Sequence, residues 1–352
     1  MVVNHSNNSI SIIMTELNIF DALATGQRLP FGPLTDALQR GFALGCQAPE
    51  RQHHTMARMG EPDATLLLMP AWSNPEDQNQ YIGVKLVTVV PGNASRKLPG
   101  LTSTYVLYDG VTGRQIALLD GNTITGRRTV ATSALAARYL AREDSSRLLI
   151  IGSGRIAHLI PDAYLAVRPI REIAVWNRNE ESATRLVDQL RERGFQASVA
   201  KDLEQAVRTS DIVSAATLST APIIRGEWIR PGTHIDLIGG FKPTMRETDD
   251  EAVRCSQVYV DTLEALHEAG DLTQPIGAGV ISATHVKGTL AQLTRGEVAG
   301  RKDNQQITLF KSVGSALADL VAARLVYETD LDHSPGATPP LAFEFAWQVK
   351  KS

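Results

Sequence analysis

The sequence predicts an α/β protein: a doubly wound parallel sheet accompanied by a second, α+β domain. Three observations predict it. From about residue 146, short apolar runs alternate with helical stretches, the rhythm of a parallel sheet with helices on both faces. Before that point the runs are strand-like and separated by turn signals. At the junction, the first apolar run ends in Gly152-Ser153-Gly154-Arg155-Ile156-Ala157. That spacing permits a tight turn and close backbone approach to a pyrophosphate.

The elements follow in order. Residues 1–20 begin polar and end in a strand. Residues 33–48 read as an amphipathic helix, with Leu34, Leu38, Phe42 and Ala43 at helical spacing. Strands are expected over 64–69, 81–90 and 104–109. A hairpin partner is expected over 115–119, because Asp109-Gly110 and Thr112-Gly113 are turn signals. Residues 129–141 are rich in Ala and Leu and predict a helix leading into the parallel sheet. Its strands are expected at 148–151, 172–176, 211–216 and 233–238, with helices over 181–193 and 202–209 between them. Two more strands are expected near 257–260 and after 280. Residues 308–327 read as one last helix, carrying Leu309, Val313, Ala316, Leu317, Leu320 and Val321. This helix should return to the first domain or bridge the two. The segment 333–340 holds three prolines and a glycine and should drape over a surface.

Bulk properties narrow the function. The 352 residues are 43% hydrophobic and 21% charged, as in a globular protein of about two domains. The net charge of −3 argues against nucleic-acid binding, which needs clustered Lys and Arg. Two cysteines, Cys46 and Cys255, make neither a disulfide framework nor a zinc spacing, so no metal is expected and a reducing compartment fits. The polar N-terminus lacks the order of a signal peptide, and no apolar run reaches about 18 residues. A cytoplasmic protein without a membrane partner is expected.

The glycine stretch carries the first functional reading. Gly152 allows the turn, Gly154 lets the backbone reach the phosphates, and Ala157 lets helix and strand pack closely. The helix expected after it offers free N–H groups to the anion, so Gly152, Ser153, Gly154, Arg155 and Ile156 are candidate cofactor contacts. At the end of the next strand the sequence reads Trp176-Asn177-Arg178-Asn179. An acidic residue there would suit a ribose hydroxyl, whereas Asn177, Arg178 and Asn179 suit a 2′-phosphate. NADP(H) is therefore the preferred cofactor, with NADH left open.

Three basic residues stand in patterned surroundings. Arg51 follows the first helix, Lys85 sits mid-strand in Gly83-Val84-Lys85-Leu86-Val87, and Arg128 opens the Ala-rich helix. The macrodipole does not favour a cation at a helix beginning, and a cation in a strand core is costly unless paired. Together they suggest a clamp for the carboxylate of a small amino or imino acid. Taken singly, each also reads as an ordinary ion-paired surface cation.

These segments occur in a recognisable order. Pro49-x-Arg51, Gly83-x-Lys85-x-Val87, Pro91-x-Asn93, Arg128-Thr129-x-Ala131-Thr132-Ser133-Ala134, the glycines at 152 and 154, and Ser312-Val313-Gly314 together closely resemble the ornithine cyclodeaminase/mu-crystallin family. The resemblance runs from about residue 30 to 325. It implies a homodimer and a Rossmann-type domain (131–304) inserted into a substrate-binding and dimerisation domain (1–130 with 305–352). It also implies that Arg51, Lys85 and Arg128 hold the substrate carboxylate, with Val313 near the substrate. Arg128, Thr129, Thr217, the Ile238-Gly239-Gly240 turn and Ser312 would line the cofactor. Cyclodeaminases of the family follow the glycine pair with an aspartate that serves as acid/base. Here Phe241 stands in that place and cannot transfer a proton. Asp249 and Asp250 are expected to start a helix rather than replace it.

The resemblance therefore points to reduction of a cyclic ketimine carboxylate, Δ1-pyrroline-2-carboxylate or Δ1-piperideine-2-carboxylate, to proline or pipecolate. Lys85 is either proton donor or third carboxylate contact. His53 and His54 lie close enough in sequence to Arg51 for one to reach the imine nitrogen, and His54 is the candidate. Ornithine cyclodeamination, a linear imino acid (iminosuccinate, or alanine dehydrogenase-like amination) with Arg58 or Lys242 as extra cation, and a low-turnover NADPH-binding protein are the competing readings.

Overall fold

The strand from Tyr81 to Val89 buries Tyr81, Gly83, Lys85 and Val87 and turns Leu86 outward. Period-two alternation thus carries a lysine into the core side of a sheet. In the computed structural model, which describes residues 17–333, this strand is the fifth of seven in a largely antiparallel sheet. The strands are β1 (Asn18–Phe20), β2 (Cys46–Gln47), β3 (Gln52–Met56), β4 (Ala64–Ser73), β5 (Tyr81–Val89), β6 (Leu101–Asp109) and β7 (Gln115–Asp120). Their order is β1-β7-β6-β5-β4-β2, with β3 also paired to β4. The β6–β7 hairpin forms as expected. The helix Phe31–Leu44 ends at Gly45, whose φ of 79° stops it four residues before the expected end at 48. The residues expected to drape over a surface beyond 333, and those before 17, lie outside the described residues.

The Ala-rich helix is longer than expected, Gly121–Leu140. Asp120 caps it, accepting from Thr123 N at 2.7 Å. Gly121 and Gly126 hide this start because they read as helix-breaking. Yet Gly121 is there for packing, since a Cβ would lie 2.7 Å from Ser103 Oγ. Arg128 is therefore inside the helix, not at its beginning, and the macrodipole does not explain it. The helix packs on both sheets. At its far end Arg168 donates to the carbonyls of Ala137, Arg138 and Ala141, neutralising the terminal acceptors.

The second sheet has eight strands: β8 (Arg147–Ile151), β9 (Glu172–Trp176), β10 (Ala197–Val199), β11 (Ile212–Ala215), β12 (His234–Leu237), β13 (Gln257–Val260), β14 (Val286–Thr289) and β15 (Thr308–Lys311). Every pairing is parallel, in the order β10-β9-β8-β11-β12-β15-β13-β14. The predicted Rossmann-type α/β class is thus the observed one, joined to an α+β layer.

One expectation is corrected. Residues 308–327 are not one helix: β15 takes 308–311 in the middle of the sheet, and the helix runs Ala316–His333. A strand buried on both faces has no alternation to betray it, and Gly314, at φ 86°, breaks any helix through it. The last helix packs against β4, β5 and the helices Phe31–Leu44 and Gly121–Leu140. The helix expected after the glycine stretch is present. Turns occupy 154–159, and the helix is the short Ile160–Leu165. An earlier start would put Pro161 in the helix interior, where it clashes; here it sits in the first turn.

Candidate functional site

The strand order reverses between β8 and β11, the place where open parallel sheets bind ligands beyond their carboxyl ends. A cavity of about 650 Å³ opens there, lined by Gly152, Gly154, Asn177, Arg178 and Thr217 among others. Gly152 has φ 112°, and a Cβ on it would lie 2.7 Å from Ala216 O. Around Gly154 a Cβ would meet nothing within 4 Å among the described residues. One glycine is needed by the backbone; the other leaves room beside it. This tight turn with open space above it fits a dinucleotide. Asn177 Nδ2 donates to Asn179 O, and Asn179 caps the next helix through Ser182 N, while Arg178 is exposed at the rim. Arg155 reaches back to Asn122 O at 3.0 Å. Ile156 is half-buried against the core.

Beside this cavity lie the ends of β12 and β15. Ile238 N donates to Ala215 O, which sets the Ile238-Gly239-Gly240 turn next to Thr217. After β15, the carboxylate of Asp261 accepts from Ser312 Oγ (3.0 Å), Val313 N (3.0 Å) and Gly314 N (2.7 Å). Gly314 then meets the cations. Its carbonyl accepts from Arg51 Nη2 at 3.2 Å, and a Cβ on it would lie 2.7 Å from Arg128 Nη1.

The three predicted cations come together from three elements. Lys85 Nζ lies 2.5 Å from Asp319 Oδ2, and Arg128 Nε lies 2.7 Å from Asp319 Oδ1. Arg51, on the approach to β3, lies 3.6 Å from Glu268 Oε2. Lys85, Arg128 and Asp319 are buried. Burial pulls the Lys85 ammonium down to about 8, against the raising pull of Asp319. Burial would raise the Asp319 carboxyl, but Arg128 and Lys85 outweigh it and hold it below the usual carboxylate range. Thr129, half-buried, follows Arg128 on the same helix.

Sequence reasoning missed Asp319. Its signal is a lone acid inside Ala316-Leu317-Ala318-Asp319-Leu320-Val321, where a charge requires a partner. Asp261 was missed as well.

His54 is not brought into the cluster. The register pairs His54 with Leu66 and Leu66 with Thr88, whereas His53 pairs with Leu67 and Leu67 with Val87. Side chains opposite one another share a face, so His53 lies on the face of Lys85 and His54 on the other. Both are exposed, on the strand Gln52–Met56. Arg58 pairs with Glu61 at 3.2 Å, and Lys242 is exposed. Phe241 is 45% exposed. Asp249 caps the helix Asp250–Arg254 through Ala252 N at 2.9 Å, as expected. Among the described residues no group of three His, Cys, Asp or Glu is placed to hold a metal, and no helix is long and apolar enough to cross a membrane.

Residues 29–334 match the model of the ornithine cyclodeaminase/mu-crystallin family. The chain belongs to that family. Among its relatives, a Δ1-pyrroline-2-carboxylate reductase of Paracoccus denitrificans is 39% identical over 307 residues, spanning 86% of this chain and 93% of that protein. Among solved structures of similar fold is the Δ1-pyrroline-2-carboxylate reductase of Thermococcus litoralis in complex with NADH and L-proline. It has a TM-score of 0.83 and 32% identity, and covers 90% of this chain and 98% of that one. An archaeal alanine dehydrogenase dimer with bound NAD gives a TM-score of 0.81 at 29% identity, covering 92% and 98%. This ornithine cyclodeaminase/mu-crystallin family member thus shares its fold with proteins whose complexes hold a nicotinamide dinucleotide.

Proposed function

We propose that this protein is an NAD(P)H-dependent oxidoreductase that reduces the C=N bond of a small cyclic ketimine carboxylate, Δ1-pyrroline-2-carboxylate or Δ1-piperideine-2-carboxylate, to L-proline or L-pipecolate. The observation that carries this reading is the buried Lys85–Asp319–Arg128 cluster, joined through Gly314 to Arg51 and to the strand ends beside the dinucleotide cavity. Three cations face two carboxylates, Asp319 and Glu268. One positive charge is left for a substrate carboxylate.

Arg51 and Arg128 bind that carboxylate, Arg128 with the guanidinium nitrogens that Asp319 leaves free. Asp319 fixes the positions of Lys85 and Arg128. Lys85, with its pKa drawn to about 8 by burial, holds a proton near neutrality that it can give to the imine nitrogen. The reduced nicotinamide, when bound, supplies the hydride for the imine carbon. Gly152, Ser153, Gly154, Thr217 and the Gly239–Gly240 turn would hold the dinucleotide, with Thr129, Arg155, Ile156, Ile238 and Ser312 around it. Val313 would border the substrate. Exposed Arg178, between Asn177 and Asn179, supports a preference for NADP(H) over NAD(H).

A monocarboxylate suits the site better than a dicarboxylate, because Arg58 is already paired and Lys242 is exposed. Phe241 speaks against ornithine cyclodeamination. A homodimer in a cytoplasmic setting completes the proposal. Trp72 and Leu86, on the sheet face away from Lys85, are candidates for the dimer contact.

Purified protein with Δ1-pyrroline-2-carboxylate should consume NADPH, with proline formed in equal amount. Ornithine with NAD should release no ammonia. Ammonia and proline from ornithine would overturn the proposal.

A further inference from the structure

Beneath the turns just described lies a second charged cluster with no part in binding the substrate carboxylate. Glu247, Asp271 and Lys311 are each fully buried. Glu247 Oε1 accepts from Thr217 N at 2.7 Å and from Thr217 Oγ1 at 2.8 Å. Asp271 Oδ1 accepts from Glu247 N, Thr248 N and Thr248 Oγ1 at 2.8–2.9 Å. Lys311 Nζ donates to Leu237 O and Gly239 O, and lies 3.5 Å from Asp271 Oδ2.

The cluster presses on the glycine pair. A Cβ on Gly239 would collide with Glu247 Oε1, and one on Gly240 would lie 2.6 Å from Asp271 Oδ2. Among the described residues, Glu247 Oε2 and Asp271 Oδ2 have no hydrogen-bond partner. A single lysine thus serves two buried carboxylates, a costly arrangement that an apolar core would not need. What it achieves geometrically is to tie the turn after β11 to the turn after β12 by charge-assisted hydrogen bonds.

We propose that Glu247, seated on Asp271 and Lys311, is a positioning residue that fixes Thr217 and the Gly239–Gly240 turn against the cofactor and so sets cofactor affinity. This rests on the reading of the cavity as a dinucleotide site. Burial pushes the Glu247 carboxyl up to about 7, with Lys311 lowering and Asp271 raising it. The groups facing it are Lys311 from β15, Asp271 from the helix Gly270–Gly277 and Thr217 from the turn after β11. Neighbouring Arg246 is turned onto Thr248 O and Asp250. The ionised carboxylate is the stronger acceptor for Thr217. Cofactor should therefore bind more tightly above about pH 7 and more weakly below it.

The test is NADH binding, followed by nicotinamide fluorescence from about pH 6 to about pH 9, for the wild type, Glu247→Gln, Thr217→Val and the double variant. NADH avoids titration of a 2′-phosphate. Glu247→Gln should weaken binding about tenfold at the alkaline end and flatten the pH dependence, with KM for NADH rising more than kcat falls. The double variant should be little worse than either single one. Should Glu247→Gln fail to fold, Thr217→Val alone must still weaken binding and blunt the pH dependence. Wild-type affinity with unchanged pH dependence in both single variants would overturn the inference alone. A wild type that binds neither NADH nor NADPH would overturn the cofactor reading and this inference with it.

Discussion

Lys85 and Asp319, 234 residues apart in the chain, meet at 2.5 Å in the interior. Asp319 also takes Arg128 on its other oxygen, so one carboxylate from the last helix holds two cations from a strand and a helix. Removing that carboxylate leaves two buried charges unpartnered. Asp319→Asn should lose about 3–5 kcal/mol of stability, read by chemical denaturation. Ketimine reduction should fall with it. A variant as stable as the wild type would mean that the pair is not buried as described.

The protonation state of Lys85 should govern the rate. With its pKa drawn to about 8, reduction should decline as pH rises through about 8, because the donor proton is lost. Lys85→Ala should slow reduction by about 10²–10⁴-fold and abolish that alkaline limb. The linkage to stability has the opposite sense. Folding lowers this pKa from 10.5 to about 8, so the unfolded chain binds more protons between those values and the Lys85 contribution to stability rises with pH across them. Asp319 has a lowered folded pKa. Its contribution is present above the ordinary carboxylate range and lost as pH falls through the folded value.

The proposed preference for NADP(H) rests on Arg178. Arg178→Ala should weaken NADPH about 10–100-fold, the loss of charge-assisted contacts to a phosphate, and leave NADH nearly unchanged. Equal loss for both, measured as KM ratios, would remove the 2′-phosphate from the account of this position.

The two motif glycines should respond differently to alanine. Gly152→Ala imposes a Cβ on φ 112° and on Ala216 O, and should cost about 1–3 kcal/mol of stability. Gly154→Ala meets nothing within 4 Å among the described residues. It should leave the melting temperature unchanged and weaken only the cofactor, read by comparing thermal melts with cofactor titrations.

Period and turn chemistry made most of the fold legible. The Asp109-Gly110 turn gave the β6–β7 hairpin, and four apolar runs with two further expected strands gave six of the eight parallel strands. What stayed hidden was structure that burial conceals. Thr308–Lys311 is buried on both faces and shows no alternation. Gly121 reads as a breaker because its packing partner, Ser103, is remote in sequence. In the site, Arg51, Lys85 and Arg128 were visible as cations in unusual surroundings. Their shared partner was not, since only the fold brings Asp319 to them. The misplacement of His54 has a similar origin: closeness to Arg51 in sequence says nothing about which side of a strand a ring occupies.

The position of β15 has a consequence for how this chain can be divided. It lies between β12 and β13, in the middle of the parallel sheet, although it is the last strand of the described residues. A fragment ending at residue 304 would expose two facing strand edges, His234–Leu237 and Gln257–Val260, across a gap one strand wide. A cut at residue 304 therefore does not release the parallel sheet as an excisable module. Its closing piece arrives only after the other seven strands of that sheet have been synthesised, and the chain then leads straight on to Asp319.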